Sequence, residues 1–376
     1  MKEELDDDLM GNSQIIENCL ANFDIHVKVT EVEQGPVITR YEILPAPGTK
    51  ISTIMSFQDD IGLAMKTPSV RISPVAGKST IGIEVPNSVT NIVFLKELIE
   101  NASAKTEKYS LPMFLGKNTS GGPLVADLAD MPHILIAGTT GSGKTVCVNS
   151  IITGMLYHLN PNQLRLVLID PKMVELSVYN GIPHLLSPVV TDPKKAATVL
   201  NWVVSEMENR YKLLAAVGVR NIRTFNSRIP SESDAEENIP ACMPYIVVII
   251  DELADLMLTA SDKVEAAITR LAQLSRAVGI HLVLATQRPS VNVITGVIKA
   301  NFPARLSFKV ASKVDSRTVL DMMGADKLIG KGDMLFLQPG EAKPIRAQSA
   351  FISDKEIKDI LSKEFNLQLV NVLEVI

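Results

Sequence analysis

The sequence predicts an α/β protein in which a small α+β domain precedes a doubly wound parallel sheet. Four apolar runs have the composition of buried parallel strands, at residues 134–137, 164–170, 245–250 and 281–286. Helical periodicity separates these runs, as in chains that cross over between parallel strands, so a ligand site is expected at the carboxyl ends of the strands. We expect two domains, residues 1–110 and residues 111–376.

The first domain is distinguished by alternating apolar and polar residues. The alternation surrounds turns at Gly35-Pro36 and at Gly77, which predicts antiparallel hairpins. A helix over residues 90–100 is expected to close this domain, and residues 105–122 are expected to form the connection to the second. The segment has no cluster of residues suited to catalysis, so a structural or oligomerisation role is the simplest interpretation.

Composition limits the class of protein. The chain has 376 residues, of which 46% are hydrophobic and 21% charged, and a formal net charge of −5. These values predict a soluble globular protein whose nucleic-acid contacts, if any, are local. The start, MKEELDDDLM, lacks the features of a signal peptide, and no apolar run is long enough to cross a bilayer. We therefore expect a cytoplasmic location.

The second domain begins with a glycine-rich loop between its first strand and the following helix. The loop consists of Gly138, Thr139, Thr140, Gly141, Ser142, Gly143, Lys144 and Thr145. In this pattern backbone N–H groups surround a phosphate, Lys144 reaches the outer phosphates and the Thr145 hydroxyl ligates Mg²⁺. A glycine turn that binds nothing is the alternative, which the strand and helix on either side disfavour. The loop predicts binding of ATP with Mg²⁺.

Two further strands end in polar residues that suit ATP hydrolysis. The third ends in Asp251 and Glu252, where the first carboxylate would order Mg²⁺ and the second would polarise the attacking water. The fourth ends in Thr286 and Gln287, and either side chain could sense the γ-phosphate. Two acids at the end of an apolar strand are weak evidence for an ATP-hydrolysing site by themselves. They become strong evidence when they follow a phosphate loop in the chain.

A stretch without acidic residues extends from Glu265 to Asp315. Its cations are Arg270, Arg276, Arg288, Lys299, Arg305, Lys309 and Lys313. In an acidic protein this segment is the one best suited to the phosphates of a nucleic acid, although ordinary surface charge is the alternative. Aromatic residues are scarce within it, so duplex phosphates are a better candidate than stacked single-stranded bases.

Long runs of the chain resemble the motor region of the FtsK/SpoIIIE family of hexameric double-stranded DNA translocases. They include GPVITRYEILPAPGTK, MPHILIAGTTGSGKT, LIDPKMVEL, YIVVIIDELADLM and GKGDMLF. The resemblance implies an α domain over residues 1–110 and a RecA-like P-loop ATPase (β) domain over residues 111–376, assembled as a homohexamer around double-stranded DNA.

The same resemblance implies roles for individual basic residues. Arg276 would reach the ATP of the neighbouring subunit, with Lys313 beside it, and Arg288 and Lys299 would lie on loops that face the DNA channel. The membrane spans and the winged-helix γ domain of the family have no counterpart in this chain. Attachment to the inner membrane would therefore require segments absent from it.

We therefore expect an ATPase that drives DNA movement in chromosome segregation during cell division or sporulation. A type IV secretion or conjugation coupling ATPase is the main alternative, because it shares the RecA-like core. A scaffold switched by nucleotide, without sustained turnover, is a second alternative, against which Glu252 and Arg276 argue. A P-loop kinase for a small molecule fits least, since nothing resembles a lid over an acceptor substrate.

Overall fold

A computed structural model describes residues 2–67, 69–75, 77–230 and 238–365. The small domain contains α1 (Lys2–Ala21), β1 (Val27–Gln34), β2 (Ile38–Pro45), α2 (Ile51–Ser56), α3 (Gln58–Ala64), β3 (Arg71–Pro74) and β4 (Ile81–Pro86). Its strands form one antiparallel sheet in the order β1-β2-β4-β3, and Gly35-Pro36 connects β1 to β2. Helix side chains such as Ile16 and Ile54 pack on the sheet residues Ile43 and Ile83. The predicted α+β character is confirmed.

The rest of the described chain builds one large sheet with helices on both faces. Its elements are α4 (Leu95–Thr106), β5 (Pro112–Asn118), β6 (Pro123–Asp127), β7 (His133–Ala137), α5 (Lys144–His158), β8 (Leu164–Ile169), α6 (Pro193–Ala216), α7 (Ile222–Ser227), β9 (Tyr245–Ile250), α8 (Leu253–Leu274), β10 (Ile280–Thr286), α9 (Gly296–Asn301), β11 (Ala304–Phe308), α10 (Lys313–Leu320), β12 (Asp333–Leu337), β13 (Ile345–Ser349) and α11 (Asp354–Phe365).

The sheet has a parallel half and an antiparallel half. Its order is β6-β5-β13-β12-β11-β7-β10-β9-β8, and the strands from β11 to β8 are parallel. The four predicted strands are β7, β8, β9 and β10, and all lie in the parallel half. Their side chains are buried on both faces, which explains their unbroken apolar composition.

The two faces of the sheet have separate hydrophobic cores. Helices α4, α5 and α11 pack on one face, through residues such as Leu98 and Ile151, and α6 and α8 pack on the other, through residues such as Leu200 and Ile268. This arrangement confirms the predicted doubly wound α/β fold. Within the described ranges, no helix combines the length and the apolar composition that a bilayer crossing requires.

The segment between the domains differs from the sequence prediction. The predicted helix over residues 90–100 lies at α4, five to six residues later, and packs in the core of the large sheet. The predicted connection over residues 105–122 contains the strand β5, whose backbone approaches Gln348 so closely at Gly116 that no side chain fits. That glycine interrupts the apolar pattern and conceals the strand. The small-domain core ends at Val85 and the large-sheet core begins at Val93, upstream of the boundary predicted near residue 110.

A buried cluster of charges joins the two sheets. The Arg346 guanidinium on β13 lies 2.7 Å from the Glu84 carboxylate on β4 and 2.7 Å from the Asp333 carboxylate on β12. Arg71 on β3 approaches Glu84 to 3.1 Å. Burial alone would raise the pKa of Glu84, but Arg71 and Arg346 lower it below its ordinary value. The charged form of Glu84 therefore depends on Arg346 across the domain boundary as well as on Arg71 of its own sheet.

Replacing Arg346 should destabilise the whole chain. An Arg346→Met substitution leaves Glu84 and Asp333 as buried carboxylates that have lost a cation, and a broken buried pair costs about 3–5 kcal/mol. Urea unfolding at pH 7 measures this loss. The matched control is Lys96→Met, which removes an exposed pair with Glu100 and should cost less than about 1 kcal/mol. Equal stability of the two variants would contradict the structural role of the cluster.

Candidate functional site

The glycine-rich loop leaves the carboxyl end of β7 and enters α5. Gly141 and Gly143 have φ values of 74° and 112°, which favour glycine. A side chain at Gly143 would lie 2.6 Å from the backbone nitrogen of Gly332, and one at Gly138 would lie 2.6 Å from Phe308 Cβ. These glycines therefore allow the loop to curl tightly at the start of a helix, the geometry that suits a phosphate.

Two backbone segments outside the predicted motif support the loop. The Gly332 N–H donates to the Ser142 carbonyl at 2.8 Å, and the Thr139 N–H donates to the Lys309 carbonyl at 3.0 Å. Gly332 lies just before β12, and Lys309 lies just after β11. The sequence GKGD at residues 330–333 is typical of a tight turn. It does not indicate that the turn contacts the phosphate loop.

The structure brings Lys144 and Asp251 together. The Lys144 Nζ lies 2.7 Å from Asp251 Oδ1 and 2.6 Å from the Asp251 carbonyl oxygen, and both side chains are buried. Among the residues that the structure describes, the second carboxylate oxygen of Asp251 has no hydrogen-bond partner although it is buried. A buried oxygen of this kind is suited to a hard cation. Asp251 therefore offers an oxygen that suits the Mg²⁺ ion predicted at this site.

Glu252 links β9 to the tip of β10. Its Oε1 accepts from the Thr286 hydroxyl at 2.7 Å and from the Gln287 N–H at 3.1 Å. The Gln287 side-chain oxygen in turn accepts from the Thr140 hydroxyl at 2.9 Å. The predicted residues on β7, β9 and β10 thus form one hydrogen-bonded group at the carboxyl edge of the sheet.

A third acidic segment, which the sequence interpretation missed, follows β8. The Asp170 carboxylate is fully buried and accepts from the N–H groups of Lys172, Glu175 and Leu176 at 2.9–3.1 Å, which fixes the loop. Lys172 Nζ then lies 3.0 Å from Glu252 Oε2. The available signal was an acid at the end of a buried parallel strand, the same signal that identified Asp251.

Glu175 from this loop faces the phosphate loop. Its pKa is raised by burial and by the nearby charge of Asp251, and the Thr145 side chain, which lies near the carboxylate, partly offsets this rise. The site therefore contains an additional carboxylate beside Asp251 and Thr145, the two residues that the sequence predicts to hold Mg²⁺. Carboxylates that hold a metal-binding side chain in place are common around such ions.

Arg276 lies far from this group. It precedes β10 and approaches the Asp130 carbonyl, just before β7, at 3.4 Å. Since these positions are at the amino ends of the strands, Arg276 is separated from its own phosphate loop by the length of the sheet, roughly 20 Å. Lys313 is exposed at the first residue of α10. The structure therefore does not bring Arg276 to the nucleotide site of the same chain.

The two predicted DNA contacts have different surroundings. Arg288 is exposed two residues after β10, at the edge of the sheet that carries the phosphate loop. Lys299, on α9, forms an ion pair with Asp321, which also pairs with Arg305. The Lys299 side chain is 22% exposed, so it meets solvent but already has an anionic partner.

Comparison with known proteins identifies the chain's family. The model of the FtsK/SpoIIIE family matches residues 94–291, and that of the FtsK alpha domain matches residues 1–87. DNA translocase FtsK of Caldanaerobacter subterraneus subsp. tengcongensis is 55% identical over 94% of this chain and 49% of its own length. DNA translocase SpoIIIE of Bacillus subtilis is 53% identical over 93% of this chain and 45% of its own length.

A solved structure covers almost the same extent. The pCW3 conjugation coupling protein TcpA, in a monomer form with ATPγS, has a TM-score of 0.64 and 25% identity, and the match covers 94% of this chain and 99% of TcpA. The present chain spans about half the length of the curated relatives that it matches. With two family models matching in series over both domains, the chain belongs to the FtsK/SpoIIIE family.

Proposed function

We propose that this chain is an ATP-hydrolysing motor that moves double-stranded DNA and works as a homohexameric ring. The observation that carries the proposal is the convergence of Lys144, Asp251, Glu252 and Gln287 at one edge of the sheet. Relatives with more than half of the aligned residues identical are named DNA translocases, which supports DNA as the substrate. Chromosome segregation in a dividing or sporulating cell is the corresponding role, with the two domains in the cytoplasm.

The residues at this edge of the sheet have different roles in the binding and hydrolysis of ATP. The phosphate loop and Lys144 bind the phosphates of ATP, and Lys144 exchanges its contact with Asp251 for one with phosphate oxygens. Asp251 and Thr145 would hold Mg²⁺, which neutralises phosphate charge when bound. Glu252 polarises the attacking water, and Gln287, which already contacts Thr140 of the loop, responds to the γ-phosphate.

The ring assembly is supported by the position of Arg276. A guanidinium at the edge of the sheet opposite its own phosphate loop cannot stabilise charge on its own ATP, but it can do so for a neighbour packed head to tail. Lys313, exposed on α10, is assigned to the same interface. Arg288 and Lys299 are assigned to the phosphates of the DNA.

A second candidate, a conjugation coupling ATPase, is favoured by one observation. TcpA resembles this chain over both domains, and that protein is named a conjugation coupling protein. The identity of 25% is less than half of that shared with the named translocases, so we rank this function second. Movement of linear duplex DNA by the purified chain, with no other conjugation protein present, separates the two.

Two substitutions should separate nucleotide binding from turnover. Lys144→Ala should weaken ATP binding and abolish hydrolysis, because it removes the cation of the phosphate loop. Glu252→Gln should keep ATP binding and lower turnover by about 10²–10⁴-fold, the usual contribution of a general base. A fluorescent ATP analogue measures binding, and steady-state phosphate release measures turnover. A Glu252→Gln protein with more than a tenth of the parent turnover would assign the base to another residue.

Action of Arg276 between subunits can be tested by mixing inactive proteins. Arg276→Ala and Lys144→Ala should each be inactive, because one lacks the residue donated to a neighbour and the other lacks its own phosphate site. Mixed rings contain some interfaces with both parts intact, so the mixture should regain measurable ATPase activity. If mixed rings form, as mass spectrometry can verify, and hydrolysis stays absent, Arg276 does not act in trans.

Replacing the two proposed DNA contacts, with Arg288→Ala and Lys299→Ala singly and together, should change how DNA binding depends on salt. Each phosphate contact that is lost should reduce the slope of log affinity against log salt by roughly one, and should weaken all duplex sequences equally. ATPase activity without DNA should be unchanged, whereas its stimulation by DNA should fall. Lys355→Ala, an exposed lysine on α11, serves as the control. A double variant with the parent salt slope and stimulation would leave these residues as ordinary surface charge.

A further inference from the structure

The Glu252 carboxylate is enclosed by protein groups. The Thr286 hydroxyl donates to Oε1, and the Gln287 N–H is shared between Oε1 at 3.1 Å and Oε2 at 3.2 Å. The Lys172 ammonium donates to Oε2 at 3.0 Å. The side chain is only 1% exposed. A carboxylate acts as a base through a free oxygen lone pair within reach of the water. In this arrangement Glu252 cannot meet the water that its proposed role requires.

Of these three donors, Lys172 is the one that can move away from Glu252 while the sheet stays in place. Thr286 and Gln287 belong to the tip of β10 and are fixed by the sheet, whereas Lys172 lies in an irregular loop and its side chain is 35% exposed. An ammonium on a flexible stem is solvated when it leaves a carboxylate, and the Thr286 hydroxyl and the Gln287 N–H still donate to Glu252 after it has left. Release of Lys172 would leave Oε2 with only the shared Gln287 N–H, so a lone pair would become available to water without disturbing the strands.

The loop that carries Lys172 also contacts the phosphate loop. Asp170 fixes the backbone at both Lys172 and Glu175, and the Glu175 carboxylate lies near the Thr145 side chain at the start of α5. Met173, between them, has a φ of 58°, a left-handed conformation that is strained for a residue other than glycine. A short strained loop therefore connects the nucleotide-binding helix to the Glu252 carboxylate.

We propose that Lys172 is a positioning residue that holds Glu252 out of reach of the attacking water, and that its release from Glu252 permits hydrolysis. The proposal rests on the proposed ATPase function and adds a control step to it. The chain then has two arrangements, one with Lys172 on Glu252 and one with Glu252 free. DNA binding increases turnover by favouring the second arrangement.

The test compares hydrolysis with and without DNA. Lys172→Met keeps the length of the side chain and removes the charge, so DNA-free turnover should rise roughly fivefold, the effect expected for loss of a partly exposed ion pair. Turnover at saturating duplex DNA should change less than twofold, so the ratio of stimulated to basal rate falls. The dissociation constant of a fluorescent ATP analogue should stay within twofold of the parent value.

Three controls define the test. Lys172→Arg keeps a cation and should keep the parent ratio. Lys358→Met, at an exposed position on α11, should match the parent in every measurement. The double variant Lys172→Met, Glu252→Gln should be as inactive as Glu252→Gln alone, because the gain in rate has to pass through Glu252.

Different experimental results would refute this proposal and the proposed ATPase function. A Lys172→Met protein with lowered turnover in both conditions, or with an unchanged stimulation ratio, would mean that Lys172 does not restrain Glu252. A double variant that keeps the raised basal rate would overturn the proposal in the same way. A parent protein that binds ATP but does not hydrolyse it, with or without DNA, would instead refute the ATPase function itself.

Discussion

The meeting of β7, β9 and β10 at one edge of the sheet is the constraint on which the candidate site depends. Parallel pairing in register places the end of β10 between the ends of the other two, so that Lys144 reaches Asp251 and Gln287 reaches Thr140. The two partners in each of these contacts lie more than a hundred positions apart in the chain. A one-residue slip of β9 would turn Asp251 to the opposite face of the sheet and separate it from Lys144. The two hydrophobic cores that fix this register therefore also fix the chemistry.

The parts of the structure that the sequence predicted are those with a local cause. Buried parallel strands need unbroken apolar residues, and a phosphate loop needs glycines at set positions, so both were evident. The strand β5 was not, because Gly116 interrupts it for a reason that lies on β13. Lys172 was missed for the same kind of reason, since its partner is 80 residues away.

The surroundings of the basic residues show a similar limit of prediction from the sequence. A stretch without acids between Glu265 and Asp315 indicated a segment suited to anions, but Asp321, just beyond it, folds back on Lys299 and Arg305. Charge counted along a sequence does not include partners that tertiary structure supplies. Arg288 is exposed at the sheet edge, so it remains suited to an anion, as the sequence indicated.

The buried charges around Arg346 have a mechanical consequence. Asp333, which binds Arg346, directly follows Gly332, and the backbone of Gly332 is bonded to the phosphate loop. Arg346 also binds Glu84 of the small domain, so a continuous path of short polar contacts runs from Ser142 to β4. Such a path is stiff, because none of its links is a long flexible side chain in solvent. In the motor proposed above, each subunit would therefore transmit force as one solid piece, and bending would be confined to the joints between subunits.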